Sequence, residues 1–137
     1  MSTFPLPPGS AIGILGGGQL GRMLALAAAR LGLKAFILTP EADSPASWVS
    51  AKTIVADYDD HVALAQLAAT TQAITFEFEN VPATTLQILA GLGAQVAPGP
   101  RALAVAQDRF DEKTFLNAAG ALARRSMPLS WWLSVRG

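Results

Sequence analysis

The stretch Gly16-Gly17-Gly18-Gln19-Leu20-Gly21-Arg22-Met23 constrains the fold more than any other part of the chain. The apolar run Ala11-Ile12-Gly13-Ile14-Leu15 leads into it, and an alanine- and leucine-rich segment follows. In that segment Leu20, Met23, Leu24, Ala27 and Leu31 fall at i, i+3, i+4 and i+7, which predicts a helix with these residues on one face. The local reading is strand, tight glycine turn, helix. Glycines suit such a turn because they tolerate positive φ and let a ligand approach the backbone closely. The free amides at the start of the next helix, with the positive end of its dipole, predict an anion site for a phosphate or a carboxylate.

Gly16, Gly18 and Gly21 satisfy the G-x-G-x-x-G pattern in its required place, between a strand and a helix. The competing reading is a turn needed only for close strand–helix packing. A nicotinamide dinucleotide site makes a further demand, an acid at the end of the second strand to hold the ribose hydroxyls. Ala35-Phe36-Ile37-Leu38 ends instead in Thr39-Pro40, and Glu41 and Asp43 come late, inside a turn. That weakens the reading of this chain as the cofactor half of an oxidoreductase. No G-x-x-x-x-G-K-[ST] loop is present, which closes the P-loop route to ATP.

The 137 residues suit one domain with a real core, and 51% hydrophobic content with 15% charge argues against disorder. Ten basic and ten acidic residues cancel, so charge gives no case for nucleic acid or an anionic membrane as partner. The absence of cysteine excludes a disulfide scaffold and any thiolate metal site. With a single histidine, His61, neither a metal site nor a histidine-based triad is expected. Met1 to Ser10 lacks a basic n-region, and the apolar run Met23 to Ala29 is too short to span a bilayer, so the expectation is a cytoplasmic protein without a membrane segment.

Residues 1–10, rich in proline, read as a flexible lead-in. Strands are expected at Ala11–Leu15, Lys34–Leu38, Thr53–Ala56, Ala73–Phe76 and, as a short fifth, Gln95-Val96. Helices are expected at Gln19–Leu31, from Asp59 or Asp60 to Ala69, after Pro82, over Arg101–Gln107, and from Asp108 to near Gly120. Short connections between alternating strands and helices predict a doubly wound, mostly parallel α/β sheet of about five strands. Ligands in such sheets sit beyond the carboxyl ends of the strands. Three segments converge there: the glycine turn, Thr39 to Ser44, and Glu77 to Asn80.

Glu77 and Glu79 share one side of the strand end by alternation, and a carboxylate placed there can accept hydrogen bonds from a ligand amine or hydroxyl. Each could instead be solvated or cap the next helix. Gln19 is the polar side chain within the turn, able both to donate and to accept. Arg22, one helical turn on, can assist an anion or pair with a surface acid. On composition alone, Asp108-Arg109-Phe110-Asp111-Glu112-Lys113 reads as a solvated helix start with acids in its first turn.

Three motifs in order, Gly16 to Met23, Thr75-Phe76-Glu77-Phe78-Glu79-Asn80-Val81-Pro82, and Gln107-Asp108-Arg109 with Glu112-Lys113 and Phe115-Leu116, resemble the 5-(carboxyamino)imidazole ribonucleotide synthases. These are ATP-grasp ligases of purine biosynthesis, and the resemblance covers about residues 9 to 120. It implies a Rossmann-like pre-ATP-grasp domain over 11–120, belonging to an enzyme that carboxylates 5-aminoimidazole ribonucleotide with bicarbonate, using ATP and Mg2+. It further implies that Gly16, Gly17, Gly18, Gln19 and Leu20 face the ribonucleotide, that Glu77 contacts it, and that Arg109 reaches the ATP phosphates. For the full-length family the resemblance is also compatible with a homodimer.

By the same resemblance, the lysines that grip ATP, the magnesium ligands and most catalytic groups belong to domains this chain does not contain. No catalytic residue and no metal ligand is therefore expected here, and the chain alone is expected to be inactive. Residues 121–137, ending Trp131-Trp132-Leu133-Ser134-Val135-Arg136-Gly137, depart from the family pattern and read as a poorly ordered tail from a shifted reading frame after a truncation. The alternative from another functional class is a standalone nucleotide- or phosphate-binding module.

Overall fold

The computed structural model describes residues 5–77 and 81–121. The expectations for Glu79, Asn80 and the tail beyond residue 121 lie outside the described residues. The chain divides into two compact units, Met1–Pro100 and Arg101–Gly137.

In the first unit, strands β1 (Ala11–Leu15), β2 (Lys34–Thr39), β3 (Lys52–Val55) and β4 (Ala73–Phe76) form one parallel sheet in the order β3-β2-β1-β4. Registers place Leu15 beside Leu38 and Phe76, and Thr39 beside Val55, so the strands finish nearly level. The order reverses at β1, which opens a crevice at its carboxyl end between its two neighbours. Helices α1 (Gln19–Arg30), α2 (His61–Thr70) and α3 (Ala83–Gly91) make the crossovers.

Alternation along β1 serves both faces of the sheet. Ile14 packs with Ile37, Ala35, Ala25 of α1 and Ala46 in one cluster. Gly13 points the other way, where a Cβ would meet Leu67 of α2 at 3.0 Å. Leu64, Leu67, Leu86 and Leu89 are fully buried and anchor α2 and α3; each such side chain contributes about 1.5–3 kcal/mol of apolar burial.

Two expectations need correction. The fifth strand is reduced to a single parallel bridge between Ile74 and Val96, held by Ile74 N–H to Gln95 O and Ala97 N–H to Ile74 O. Pro98, which cannot donate to a ladder, stops it there. The leucine-rich face of α1 is also not the one that packs: Leu20, Met23 and Leu31 are 56%, 64% and 71% exposed, while Gly21, Ala25 and Ala28 are buried. Small residues let α1 lie close on the sheet, where leucines would hold it away.

The remaining boundaries follow local chemistry. Between β2 and β3 the chain makes a single 3-10 turn, Ser47–Val49. Asp60 caps α2 by accepting from the Val62 and Ala63 amides at 2.9 and 3.0 Å. The second unit holds α5 (Arg109–Ala118), capped in the same way by Asp108, and α4 (Pro100–Gln107) begins at the boundary between the units. No helix among the described residues is long and apolar enough to cross a membrane.

Candidate functional site

The glycine turn is built to bring two distant segments into contact. Gly16 takes φ +124, which a side chain rarely adopts, and its amide donates to Leu38 O at 3.0 Å. A Cβ at Gly16 would land inside the Glu77 side chain, and one at Gly21 would land on the Gly16 carbonyl oxygen. The glycines therefore serve close packing as well as turning the chain.

Glu77 stands just past β4 and is half-buried. Its amide donates to Leu15 O at 3.2 Å, which sets the residue at the mouth of the crevice. From there Oε1 accepts the Gly18 N–H at 3.0 Å, and Oε2 accepts the Gly21 N–H. Gly18 is the N-cap of α1 and has no side chain with which to cap it. Glu77 supplies that missing carboxylate from 59 residues away and compensates the positive end of the helix dipole.

This corrects the picture of bare amides waiting for an anion. Two of the helix-start donors, at Gly18 and Gly21, are taken by the protein's own carboxylate. The next intrahelical bond is Arg22 N–H to Gly18 O. Between them lie the Gln19 and Leu20 amides, on two exposed residues of the first turn that no described group caps. Such amides can donate to an anion. Glu77 keeps further acceptor capacity, since a carboxylate has about four lone-pair positions and two are used here. The corner thus combines an acceptor with two neighbouring donors.

The opposite wall comes from the ends of β2 and β3. Thr39, the last residue of β2, is 2% exposed, and its Oγ1 accepts the Glu41 amide. Ser44 is fully buried, and the following loop is tied to the turn by Ala46 N–H to Gly17 O at 2.9 Å. Tyr58, just past β3, is half-buried and near enough to Thr39, Glu77 and Glu41 for all three to act on its phenol. Burial pushes the Tyr58 phenol above its ordinary 10.0; the Thr39 side chain opposes that shift, and the Glu77 and Glu41 charges add to it. Arg22 pairs with no acid among the described residues; its guanidinium stacks over Trp48, 5.6 Å from the ring centroid.

The structure therefore gathers Gly16, Gly17, Gly18, Gln19, Leu20 and Glu77 in one corner. Arg109 belongs to the second unit, on the first turn of α5, where it is exposed and pairs with Glu112. Thr39 and Ser44 were visible only as parts of a converging loop. Tyr58 was missed altogether: it lies past β3 in an Asp-rich turn, with no local pattern to mark its side chain.

A family model described as the ribonucleotide synthetase preATP-grasp domain matches residues 10–107. The N5-carboxyaminoimidazole ribonucleotide synthase of Brucella melitensis is 57% identical over 120 residues, covering 88% of this chain and 33% of that protein. Among solved structures, an ADP complex of purK, N5-carboxyaminoimidazole ribonucleotide synthetase, superposes with a TM-score of 0.78 at 44% identity, covering 84% of this chain and 30% of that one. The Aspergillus clavatus N5-carboxyaminoimidazole synthase, solved with ADP and 5-aminoimidazole ribonucleotide, gives a TM-score of 0.71 at 33% identity, with 82% and 30% covered. The chain spans about a third of the length of curated bacterial relatives such as these. With its parallel sheet, its glycine corner and these matches, the chain belongs to the ribonucleotide synthetase preATP-grasp domain family.

Proposed function

We propose that this chain is the substrate-side domain of an ATP-dependent ligase that carboxylates 5-aminoimidazole ribonucleotide with bicarbonate in purine biosynthesis, in a cytoplasmic setting. The observation that carries the reading is the paired chemistry of the corner. Glu77 is fixed by the Gly18 and Gly21 amides and offers acceptor positions for an amine or the ribose hydroxyls. The Gln19 and Leu20 amides lie beside it and suit the phosphate. A ribonucleotide presents both kinds of group a few bonds apart. The Aspergillus clavatus relative, solved with that ribonucleotide, supports the choice.

The corner's contribution is binding and orientation. A carboxylate anchored at two points loses little further freedom when it accepts a ligand hydrogen bond, so the ligand is held in one pose. When bound, ATP supplies the activated phosphoryl group; Arg109, on its exposed helix start, is the residue of this chain that would reach its phosphates. The described residues contain no group of three or more His, Cys, Asp or Glu that could hold a metal.

Thermal unfolding of the chain tests the reading. 5-Aminoimidazole ribonucleotide should raise the midpoint and NAD should not; a ligand at 100 times its Kd adds about 2.7 kcal/mol. Protection by NAD alone would reject the reading. In a full-length relative, replacing the glutamate equivalent to Glu77 by alanine should weaken ribonucleotide binding far more than ATP binding. Equal loss of both would remove the role given to Glu77.

A further inference from the structure

We propose that the Ser44 hydroxyl is a ligand-binding group and that, with the Gly17 amide, it extends the glycine corner into a subsite for the phosphate of the ribonucleotide, on the side of the turn away from Glu77. The proposal rests on the glycine corner being the ligand site, and it adds to that site a residue from the loop after β2.

The turn has two sides. A Cβ at Gly16 would meet the Glu77 side chain, and one at Gly18 would lie 3.0 Å from Glu77 Oε1. A Cβ at Gly17 would point elsewhere, 2.5 Å from Thr39 Oγ1 and 2.6 Å from Ser44 Oγ. Glycine at this position is what lets two hydroxyls come down on the turn, one residue before the Gly18 N-cap of α1. An anion on this side has the body of the turn between itself and the Glu77 carboxylate.

The polar groups on this side are unequally engaged. Thr39 Oγ1 accepts the Glu41 amide at 3.3 Å. Ser44 is fully buried, and its Oγ has no hydrogen-bond partner among the described residues. The Ser44 backbone is committed: its amide donates to Ser47 Oγ at 3.1 Å, and its carbonyl accepts from that hydroxyl at 2.7 Å. Gly17 shows the same contrast, since its carbonyl accepts the Ala46 amide while its own buried amide donates to no described group. A fold that keeps buried donors unpaired is costly, and a partner from outside relieves that cost. What both groups lack is an acceptor. A phosphate oxygen seated by the Gln19 and Leu20 amides supplies one, with the positive end of the α1 dipole behind it. Because its backbone is tied, Ser44 turns its hydroxyl to that oxygen about χ1 alone. The acids of this loop, Glu41 and Asp43, are exposed, and Asp43 is engaged by the Trp48 indole N–H at 2.5 Å, with the Arg22 guanidinium over the same ring.

The test follows the backbone amide signals of residues 16–21 in the isotopically labelled chain during titration with ribose 5-phosphate and, separately, with ribose. Ribose 5-phosphate should shift the Gly17, Gln19 and Leu20 signals, and ribose should leave the Gly17 signal in place. Ser44→Ala should weaken ribose 5-phosphate about tenfold or more, the size of one lost hydrogen bond to a charged group, and leave ribose binding unchanged. Its thermal midpoint should equal or exceed that of the wild type, because the substitution removes a buried group without a partner in the fold. Ser44→Cys, of similar size but a weak donor, should lose most of the same affinity.

A Ser44→Ala chain that binds ribose 5-phosphate as tightly as the wild type would overturn the role of Ser44 and leave the glycine corner standing as a ribonucleotide site. A midpoint lowered by several degrees would overturn it too, since the hydroxyl would then be satisfied inside the fold. Equal losses for ribose 5-phosphate and ribose would overturn the assignment to phosphate. If neither probe moves the turn's signals, the reading of the corner as a ligand site fails, and the subsite fails with it.

Discussion

Helix α2 and helix α1 both cross over the sheet, yet their first turns are satisfied in opposite ways. At α2 the cap is local: Asp60 accepts from the amides of Val62 and Ala63, two and three residues on. At α1 the cap position is Gly18, and the carboxylate arrives from Glu77 at the end of β4. A local cap serves one helix. A cap brought from another strand ties α1 to β4 and leaves the helix start without a side chain of its own, so a ligand can come close to the backbone. It also places a carboxylate, already oriented, where that ligand would sit. The helix that caps itself has a structural start, and the one capped in trans has a start that can double as a site.

The sharpest way to break this contrast is to deny Glu77 its place. In Gly16→Ala the new Cβ would occupy the position of the Glu77 side chain, at a φ of +124 that alanine rarely adopts. Backbone strain and the displaced carboxylate together should cost about 3 kcal/mol or more. Chemical denaturation should show a large fall in midpoint at little changed slope, and wild-type stability would mean the corner is far looser than described. Next in size is Glu77→Ala, which leaves the two amides without the charged acceptor and should cost about 2–3 kcal/mol. Glu77→Gln, retaining one acceptor oxygen, should cost less than Glu77→Ala. Asp60→Ala removes a solvent-facing local cap and should cost about 1 kcal/mol. If Asp60→Ala proved as damaging as Glu77→Ala, the trans cap would be no more than an ordinary one.

How far the sequence could show this follows from the range of each interaction. The Asp60 cap was legible because cap and amides are close in sequence, and β4 was legible because Ala73-Ile74-Thr75-Phe76 has the composition of a strand wherever it pairs. The proximity of Glu77 to the glycine turn was also legible, since both had to lie at strand ends. That the carboxylate takes the Gly18 and Gly21 amides was not, because a pairing across 59 residues leaves no local pattern. The packed side of α1 was misleading for another reason. Periodicity located the helix, but the buried positions Gly21, Ala25 and Ala28 were chosen for closeness to the sheet and carry little hydrophobic signal. The family resemblance drew Glu77 and the turn together before any geometry was known. It could not supply Tyr58, which lies outside its three motifs.

Tyr58 offers the finest cut, because it stands half-buried just past β3, near enough to Glu77 for that charge to act on its phenol. Tyr58→Phe removes the hydroxyl and keeps the ring; near neutral pH it should cost about 0.5–1.5 kcal/mol. The pH dependence then separates this contribution from packing. Burial, first among the causes, holds the folded-state phenol above its unfolded value of 10.0. Below pH 10 the phenol is protonated in both states, and its contribution is whole. As pH rises past 10 the unfolded chain loses the proton first, so stability falls until the folded-state value is passed. Wild type should therefore lose stability more steeply than Tyr58→Phe above pH 10. Because Tyr58 is the single tyrosine of the chain, tyrosinate absorbance reports this group alone. Parallel alkaline curves for the two proteins, or a tyrosinate transition at the ordinary value in the folded chain, would place Tyr58 in open solvent and detach it from the wall it is argued to form.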